Sequence, residues 1–318
     1  MNDRPGQQMS CMEVWGGSQL TERRVEFAGL DTWVYSKPYG HAQRGGDVYY
    51  ASSCATGRIT RLLLADVAGH GSSVAATAAD LRLLMRRFVN RLDQTEFVRL
   101  LNLEFGELSR QSVFATAVVS TFFQPTRRLT VCNAGHPRPL IYRASQRQWD
   151  FLDHREPVRA AGPRNLPLGI LGISDYDRFD IELEIGDCVV TYTDALIESQ
   201  DADGQMLGED GLLRIMRLLG EVDPPELIGT VLGEIADRYP ENLSGDDVTM
   251  MVLRVNQRRP HYSLPERLGA LLRLSVSVIR AIDPRAERPP IPDFHPANVG
   301  GAIIPALAQL WRANKRRT

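Results

Sequence analysis

The sequence predicts an α+β fold in which antiparallel sheets and pairs of helices are segregated along the chain. Three observations favour this class. Many stretches alternate apolar and polar residues, as half-buried strands do. Short turns separate most of these stretches, and such turns connect antiparallel neighbours. The predicted order is strands, two helices, strands, two helices and a last strand, which differs from the regular strand–helix alternation of a parallel α/β sheet.

The first half of the chain supplies the first strands and the first helix pair. Residues 1–25 are expected to form a loose lead-in, after which VEFAGLDTWVYSKP alternates like a strand. Two strands joined by a glycine-containing turn are predicted for DVYYASSCATG and RITRLLLAD. Apolar residues then recur at spacings of three and four from Val74 to Val89, which predicts an amphipathic helix, and a second helix is predicted for QTEFVRLLNLEFGELS.

The second half repeats this order. Strands are predicted for FATAVVSTFF, LTVCNAGH and PLIYRA, and a loop for the Gly- and Pro-rich AAGPRNLPLGILG. A hairpin with a Gly-Asp turn is our interpretation of IELEIGDCVVTYTDALIE. The second helix pair is predicted for EDGLLRIMRLLG and PPELIGTVLGEIADRY, and the last strand for VTMMVLRV.

Charge divides the chain into an acidic body and a basic C-terminal segment. Residues 257–318 hold 11 Arg and Lys against 4 Asp and Glu, a balance of +7, so the net charge of −2 leaves −9 for residues 1–256. An acidic body argues against nucleic acid as a partner. We expect a globular domain over residues 26–256. The Pro-containing appendage over 257–318 would form a homodimer contact, dock a regulatory partner or remain a solvated tail.

No secretion or membrane signal is evident in the sequence. The N-terminus has no apolar core. The longest apolar stretch, LGALLRLSVSVIRAI, contains Arg273 and Arg280 and is shorter than the roughly 20 residues that span a bilayer. The four cysteines stand singly, which favours a reducing compartment. These features predict a cytoplasmic protein without a transmembrane segment.

Aspartates stand at the ends of several predicted strands. Asp47 begins one strand, Asp66 closes LLLAD, Asp194 closes CVVTYTD, and Asp246 and Asp247 precede VTMMVLRV. An unpaired carboxylate is costly beside apolar residues, so a cation from outside the protein is expected to balance them. Because carboxylate oxygens suit Mg²⁺ and Mn²⁺, the sequence predicts a divalent-metal site.

The residues after Asp66 fit such a site. The main-chain carbonyl of Val67 offers a further oxygen, and Gly69 and Gly71 allow a tight backbone turn with room for a bound phosphate. The helix that follows directs the positive end of its dipole toward the same place. His70 lies between the two glycines, where it either orients water or substrate or caps the helix.

A set of motifs occurs along the chain in the order GGD, LLLADVAGHG, FATAVV, CNAGHPRPLIY, LPLGI, YTDALIE and GDDVT. The ordered set resembles the metal-dependent protein phosphatases (PPM, type 2C), most closely their bacterial SpoIIE/RsbU-like branch, and covers residues 26–256. The resemblance implies two antiparallel β-sheets packed as a sandwich and flanked by pairs of α-helices. It also implies two divalent cations, Mn²⁺ or Mg²⁺, in a cleft at one end of the sandwich.

The resemblance further assigns roles to individual residues. Asp66 would bridge both metals, and Val67 would lend its carbonyl to one of them. Asp194 and Asp246 would complete the other metal, while Asp47 would hold the site mainly through water. The implied reaction is hydrolysis of phosphoserine or phosphothreonine, in which a hydroxide shared by the two metals attacks phosphorus in line.

Two positions depart from the pattern of the eukaryotic members, and a third is expected to support the metal ligands. His136 occupies the place of a eukaryotic aspartate that helps to hold a third metal, and it either assists proton transfer or is hydrogen-bonded at a strand end. Arg44 precedes the first acidic motif, where eukaryotic members grip phosphate with an arginine, but its spacing to Asp47 favours a surface role. Asp247 is expected to support the metal ligands from behind or to satisfy backbone amides.

Three functions compete at this point. The leading one is a serine/threonine phosphoprotein phosphatase acting on a regulatory protein, such as a STAS-type anti-sigma-factor antagonist. DVAGHG also resembles the DxGxG box of histidine-kinase ATPase domains, with one extra residue in the spacing, which would indicate an ATP-binding kinase-like module. The third is an inactive phosphoprotein-binding scaffold, against which the full set of ligand-type aspartates counts. Metal-dependent phosphatase activity discriminates the first function from the other two.

Overall fold

The computed structural model describes residues 7–8, 14–40, 42–53, 57–70, 74–89, 91, 93–108, 113–153, 162–201 and 203–258. Within these ranges the strands are β1 (Gln7–Gln8), β2 (Val14–Gly17), β3 (Thr21–Phe27), β4 (Leu30–Lys37), β5 (Asp47–Ser53), β6 (Ile59–Val67), β7 (Ala115–Phe123), β8 (Arg128–Ala134), β9 (Leu140–Arg143), β10 (Gln148–Phe151), β11 (Arg178–Glu182), β12 (Cys188–Tyr192) and β13 (Val248–Val255). The α-helices are α1 (Ala75–Phe88), α2 (Gln94–Leu108), α3 (Gly208–Leu219) and α4 (Pro224–Ala236).

The strands form two sheets. One has the order β1-β3-β4-β13-β12-β9-β10, and the other has the order β11-β8-β7-β6-β5-β2. All pairings between these strands are antiparallel except the short pairing of β1 with β3. The predicted antiparallel α+β class is therefore confirmed.

The two sheets lie face to face between two pairs of helices. One apolar cluster joins α1 and α2 to the sheet of β5 to β8, and a second joins α3 and α4 to the sheet of β9, β12 and β13. A third cluster fills the space between the sheets. The result is a four-layer sandwich in which both faces of each sheet are covered.

Strand β6 shows why a central strand of this sandwich is an unbroken apolar run. Leu63 and Ala65 pack under the helices, whereas Leu62 and Leu64 face the other sheet. A strand that is buried on both faces has no need of polar alternation. Asp66 is the next residue on the inter-sheet face, so its carboxylate emerges where the space between the sheets opens.

Two sequence-based expectations were wrong in detail. Residues 1–25 are not a loose lead-in throughout, because β2 and the greater part of β3 lie in this segment and belong to the sheets. The segment IELEIGDCVVTYTDALIE is not a hairpin, since β11 pairs with β8 in one sheet and β12 pairs with β9 and β13 in the other. Alternation of apolar and polar residues predicted β11 and β12 as strands, but not the sheet to which each belongs.

The predicted C-terminal appendage lies outside the described residues, apart from Gln257 and Arg258. Its expected role in self-association or docking therefore stays a prediction. No α-helix in the described part of the chain combines the length and the apolar character that crossing a bilayer requires.

Candidate active site

Two aspartates of one sheet stand opposite each other at the open end of the sandwich. Asp47 on β5 and Asp66 on β6 are direct cross-strand partners. Both share the inter-sheet face with residues of the central cluster, such as Tyr49 and Leu64. Side chains of cross-strand partners on one face lie close together, so the register brings two carboxylates into contact range.

The other sheet brings its acidic residues to the same end. Thr193 follows β12 and donates its hydroxyl to Asp47 Oδ2 at 2.9 Å, and the backbone N–H of Thr249 donates to Thr193 Oγ1 at 3.0 Å. This buried chain of hydrogen bonds links the two sheets. Asp194 follows Thr193, and Asp246 lies just before β13, which is the neighbour of β12. The sequence-predicted ligands from four separate stretches therefore converge.

The electrostatics of the cluster reflect this convergence. Burial raises the pKa of Asp66 to about 9, and repulsion from the four other aspartates adds to the rise. Burial raises the pKa of Asp194 to about 6, with a further contribution from Glu198. The pKa of Asp47 is also raised, chiefly by burial. Within the described residues, Asp47, Asp66 and Asp194 form no ion pair with a Lys, Arg or His side chain.

The glycines of GGD are required by close approach of the backbone. A Cβ at Gly46 would lie 2.9 Å from the carbonyl oxygen of Val67, and one at Gly45 would lie 2.2 Å from Asp247 Oδ1. Both distances are shorter than normal van der Waals contact. The two glycines therefore let the β4–β5 loop pack directly against the main-chain oxygen and the carboxylate that border the site.

Asp247 holds this loop in place. It is 2% exposed, and its carboxylate accepts hydrogen bonds from the backbone N–H of Tyr39 at 2.6 Å and of Gly46 at 2.7 Å. The arrangement agrees with the expectation that Asp247 satisfies backbone amides. Because Gly46 directly precedes Asp47, Asp247 also fixes the start of β5.

His136 lies behind the acidic cluster and not in the open cleft. Its side chain is buried, and its Nδ1 lies 2.9 Å from the hydroxyl of Thr116, which is the cross-strand partner of Asp66. Asn133 exchanges hydrogen bonds with the His136 backbone at 2.7 and 2.8 Å. Burial lowers the pKa of His136 to about 3, opposed by the backbone of Tyr192. This geometry favours the hydrogen-bonded alternative over proton transfer.

The loop after β6 carries the candidate substrate-binding residues. Gly69 adopts φ +104°, a conformation that favours glycine. His70 is exposed, and its ring contacts that of Tyr39. Gly71 lies outside the described residues. Arg44 is exposed, in agreement with the surface role expected for it.

The donor set suits a hydrated divalent cation better than a closed cage. Within the described part of the chain, no group of three or more His, Cys, Asp or Glu side chains forms a ready metal cage. Mg²⁺ retains several waters and takes few protein ligands, so the carboxylates and the Val67 carbonyl fit its chemistry. Burial and the repulsion between the carboxylates raise their pKa values, and a bound cation would offset that repulsion.

Sequence reasoning missed several contacts of the site. The hydrogen bond from the Thr193 hydroxyl to the Asp47 carboxylate was not predicted. Thr116 and Tyr39 were not predicted as site residues, since an isolated Thr in a strand or Tyr in a loop belongs to no recognisable motif. The position of Thr193 directly before Asp194, in YTDA, was the one signal that pointed to the site.

Comparison with known proteins finds a matching family and a similar phosphatase. The sequence model of the family described as Stage II sporulation protein E (SpoIIE) matches residues 56–256. Phosphoserine phosphatase RsbU of Bacillus subtilis (strain 168) is 25% identical over 229 residues, which cover 71% of this chain and 63% of that protein. The chain thus spans less than two-thirds of the length of this relative.

Solved structures share the fold. The RsbU and RsbW domains of Rv1364c from Mycobacterium tuberculosis superpose with a TM-score of 0.58 at 20% identity, over 86% of this chain and 75% of that one. The PP2C phosphatase domain of SpoIIE from Bacillus subtilis, with a fragment of its regulatory domain, gives a TM-score of 0.56 at 19% identity, over 78% and 64%. These likenesses confirm the predicted two-sheet sandwich with flanking helix pairs.

Proposed function

Because the chain belongs to the SpoIIE family, as the order of its motifs predicted, we propose that it is a metal-dependent serine/threonine phosphoprotein phosphatase. The observation that carries this proposal is the meeting of Asp47, Asp66, Asp194 and Asp246 at one open end of the sandwich. The relative RsbU is a phosphoserine phosphatase, which supports the same activity here.

The proposed cofactor is a pair of divalent cations, Mn²⁺ or Mg²⁺. Asp66, Asp194, Asp246 and the carbonyl of Val67 would hold them, with Asp47 acting mainly through water. When bound, such ions neutralise a phosphoryl group and make water a better nucleophile. The raised pKa values of the acidic side chains support this assignment, because a cation would remove the repulsion that contributes to them.

The other residues of the site hold the acidic groups in position. Thr193 fixes one oxygen of Asp47, and Asp247 fixes the loop that leads into it. The pair of Thr116 and His136 supports the strand beside Asp66. Rigid placement matters because a misplacement of about 1 Å costs on the order of 100-fold in rate.

The proposed substrate is a phosphoserine or phosphothreonine side chain on a regulatory protein. A STAS-type anti-sigma-factor antagonist is the leading candidate, and signal transduction the corresponding process. The segment Gly69-His70-Gly71 would lie beside the phosphate. The kinase-like module and the inactive scaffold remain alternatives that the experiment below separates, since neither predicts metal-dependent release of phosphate.

The test is hydrolysis of p-nitrophenyl phosphate and of a phosphoserine peptide with Mn²⁺, with Mg²⁺ and with EDTA. We expect turnover only with a divalent cation. Asp66→Asn and Asp194→Asn should each lower kcat/KM by about 100-fold or more, because each removes a charged metal ligand. Asp80→Asn, an exposed aspartate on α1, is the matched control and should keep wild-type activity.

Full activity in EDTA, or robust activity of the Asp66 and Asp194 variants, would refute the site assignment. ATP binding without phosphate release would favour the kinase-like module. Binding of phosphopeptide without turnover under all metal conditions would favour the scaffold.

A further inference from the structure

Two aromatic rings from different loops meet beside the acidic cluster. Tyr39 lies in the β4–β5 loop, and His70 lies in the loop after β6. Their ring centroids are 4.3 Å apart, with an interplanar angle of 56°. A tilted arrangement at this distance is favourable for aromatic pairs, so each ring restrains the other.

The pair is anchored to the acidic cluster. The backbone N–H of Tyr39 donates to Asp247 Oδ1 at 2.6 Å, which fixes the loop next to the site. The other oxygen of Asp247 accepts a hydrogen bond from the backbone N–H of Gly46 at 2.7 Å, directly before Asp47. The two hydrogen bonds place Tyr39, and the His70 ring that contacts it, beside Asp247 and the start of β5.

The Tyr39 ring does not contribute to the hydrophobic core. Tyr39 belongs to none of the apolar clusters formed by the described residues, and 37% of it is exposed. The neighbouring Gly40 adopts φ +59°, a conformation that favours glycine, so the chain turns directly after Tyr39. A rigid aromatic side chain that is partly exposed at the edge of a cleft is typical of residues that bind polypeptide.

We propose that Tyr39 is a specificity-determining residue whose ring, held against His70, packs on the polypeptide next to the phosphorylated side chain. The inference rests on the proposed phosphatase function and deepens it, since it selects phosphorylated polypeptides over small phosphate esters. A small ester reaches the acidic cluster without needing the contact with Tyr39. A peptide substrate must lay its backbone and flanking side chains across the mouth of the cleft.

The test compares two substrates on three proteins. Steady-state kcat and KM are measured with Mn²⁺ for a phosphoserine peptide and for p-nitrophenyl phosphate, on wild type, Tyr39→Ala and Tyr39→Phe. We expect Tyr39→Ala to raise KM for the peptide about fivefold to tenfold, with kcat/KM for p-nitrophenyl phosphate changed less than about twofold. Tyr39→Phe keeps the ring and should behave like wild type. Leu218→Ala, which removes an exposed apolar side chain on α3, is the matched control and should change neither substrate.

An unchanged peptide KM in Tyr39→Ala would overturn the inference and leave the proposed function intact. An equal loss on both substrates would also overturn it, because Tyr39 would then act on the acidic cluster itself. A wild-type protein that hydrolyses neither substrate with any divalent cation would overturn the proposed function, and this inference with it. Thermal unfolding of each variant separates a loss of fold from a loss of contact.

Discussion

The two ends of strand β12 carry aspartates with opposite surroundings. Asp187, directly before the strand, has no exposed surface and accepts hydrogen bonds from Arg143 at 2.8 Å and from the backbone N–H groups of Ala144 and Glu184 at 2.9 Å. Asp194, two residues beyond the strand, stands among other carboxylates, and its pKa is raised to about 6 by burial and by Glu198. Asp187 is neutralised by Arg143, whereas no Lys or Arg among the described residues pairs with Asp194.

The contrast separates a carboxylate that the fold neutralises from one that we propose to be a metal ligand. A buried charge is tolerated when a partner charge and hydrogen bonds replace the lost water, as they do at Asp187. At the opposite end the chain brings acidic groups together without a lysine or arginine partner for Asp66 or Asp194 in the described residues. Such an arrangement costs stability in the metal-free protein, which is the expected signature of a site that binds a cation.

Asp187→Asn is expected to have the largest effect on stability. The amide retains one acceptor oxygen and places an N–H₂ group among donors. Arg143 therefore loses its charged partner, and the donors to one of the two oxygens lose their acceptor. We expect the free energy of unfolding to fall by about 2–4 kcal/mol, measured by urea denaturation. The specific phosphatase activity of the folded protein should not change.

Asp150→Asn is the control for that measurement. Asp150 is half-exposed and pairs with Arg217 at 3.3 Å, so its loss should cost less than about 1 kcal/mol. If Asp187→Asn were as stable as Asp150→Asn, the assignment of a structural role to Asp187 would be refuted.

The sequence positions of the acidic residues at strand ends were predictable. Their convergence in space depended on which strands pair and on how the sheets pack. Each aspartate of the cluster adjoins a predicted strand, and the two-residue period of strands β5, β6 and β13 indicates which side chains share a face. The sheet membership of β11 and β12 was not predictable, because a Gly-Asp turn between two alternating stretches reads as a hairpin. Contacts such as Thr193 with Asp47, 146 residues apart in sequence, follow only from the packing of one sheet on the other.

A smaller effect is expected from pH in the metal-free protein. The pKa of Asp66 is raised from 3.8 to about 9 and that of Asp194 from 3.8 to about 6, so the folded state binds more protons than the unfolded state between these values. Stability therefore falls as pH rises from about 4 to about 9. Thermal unfolding in EDTA at increasing pH checks this, and saturating Mn²⁺ should reduce the slope.

Asp66→Asn is the informative variant for the pH series. It removes the group with the higher of these two pKa values, so the decrease in stability between about pH 6 and 9 should become smaller. A wild-type protein whose melting temperature rises over this range in EDTA would show that the carboxylates do not repel one another.

Calorimetric titration of Mn²⁺ into the metal-free protein near neutral pH tests the central claim most directly. We expect saturable binding at about two sites per chain with release of protons, since metal ions displace protons from carboxyl groups whose pKa values are raised. Asp187→Asn should bind as wild type does, whereas Asp66→Asn should bind far more weakly. The absence of binding to the wild-type protein, or binding that Asp66→Asn leaves unchanged, would contradict the account.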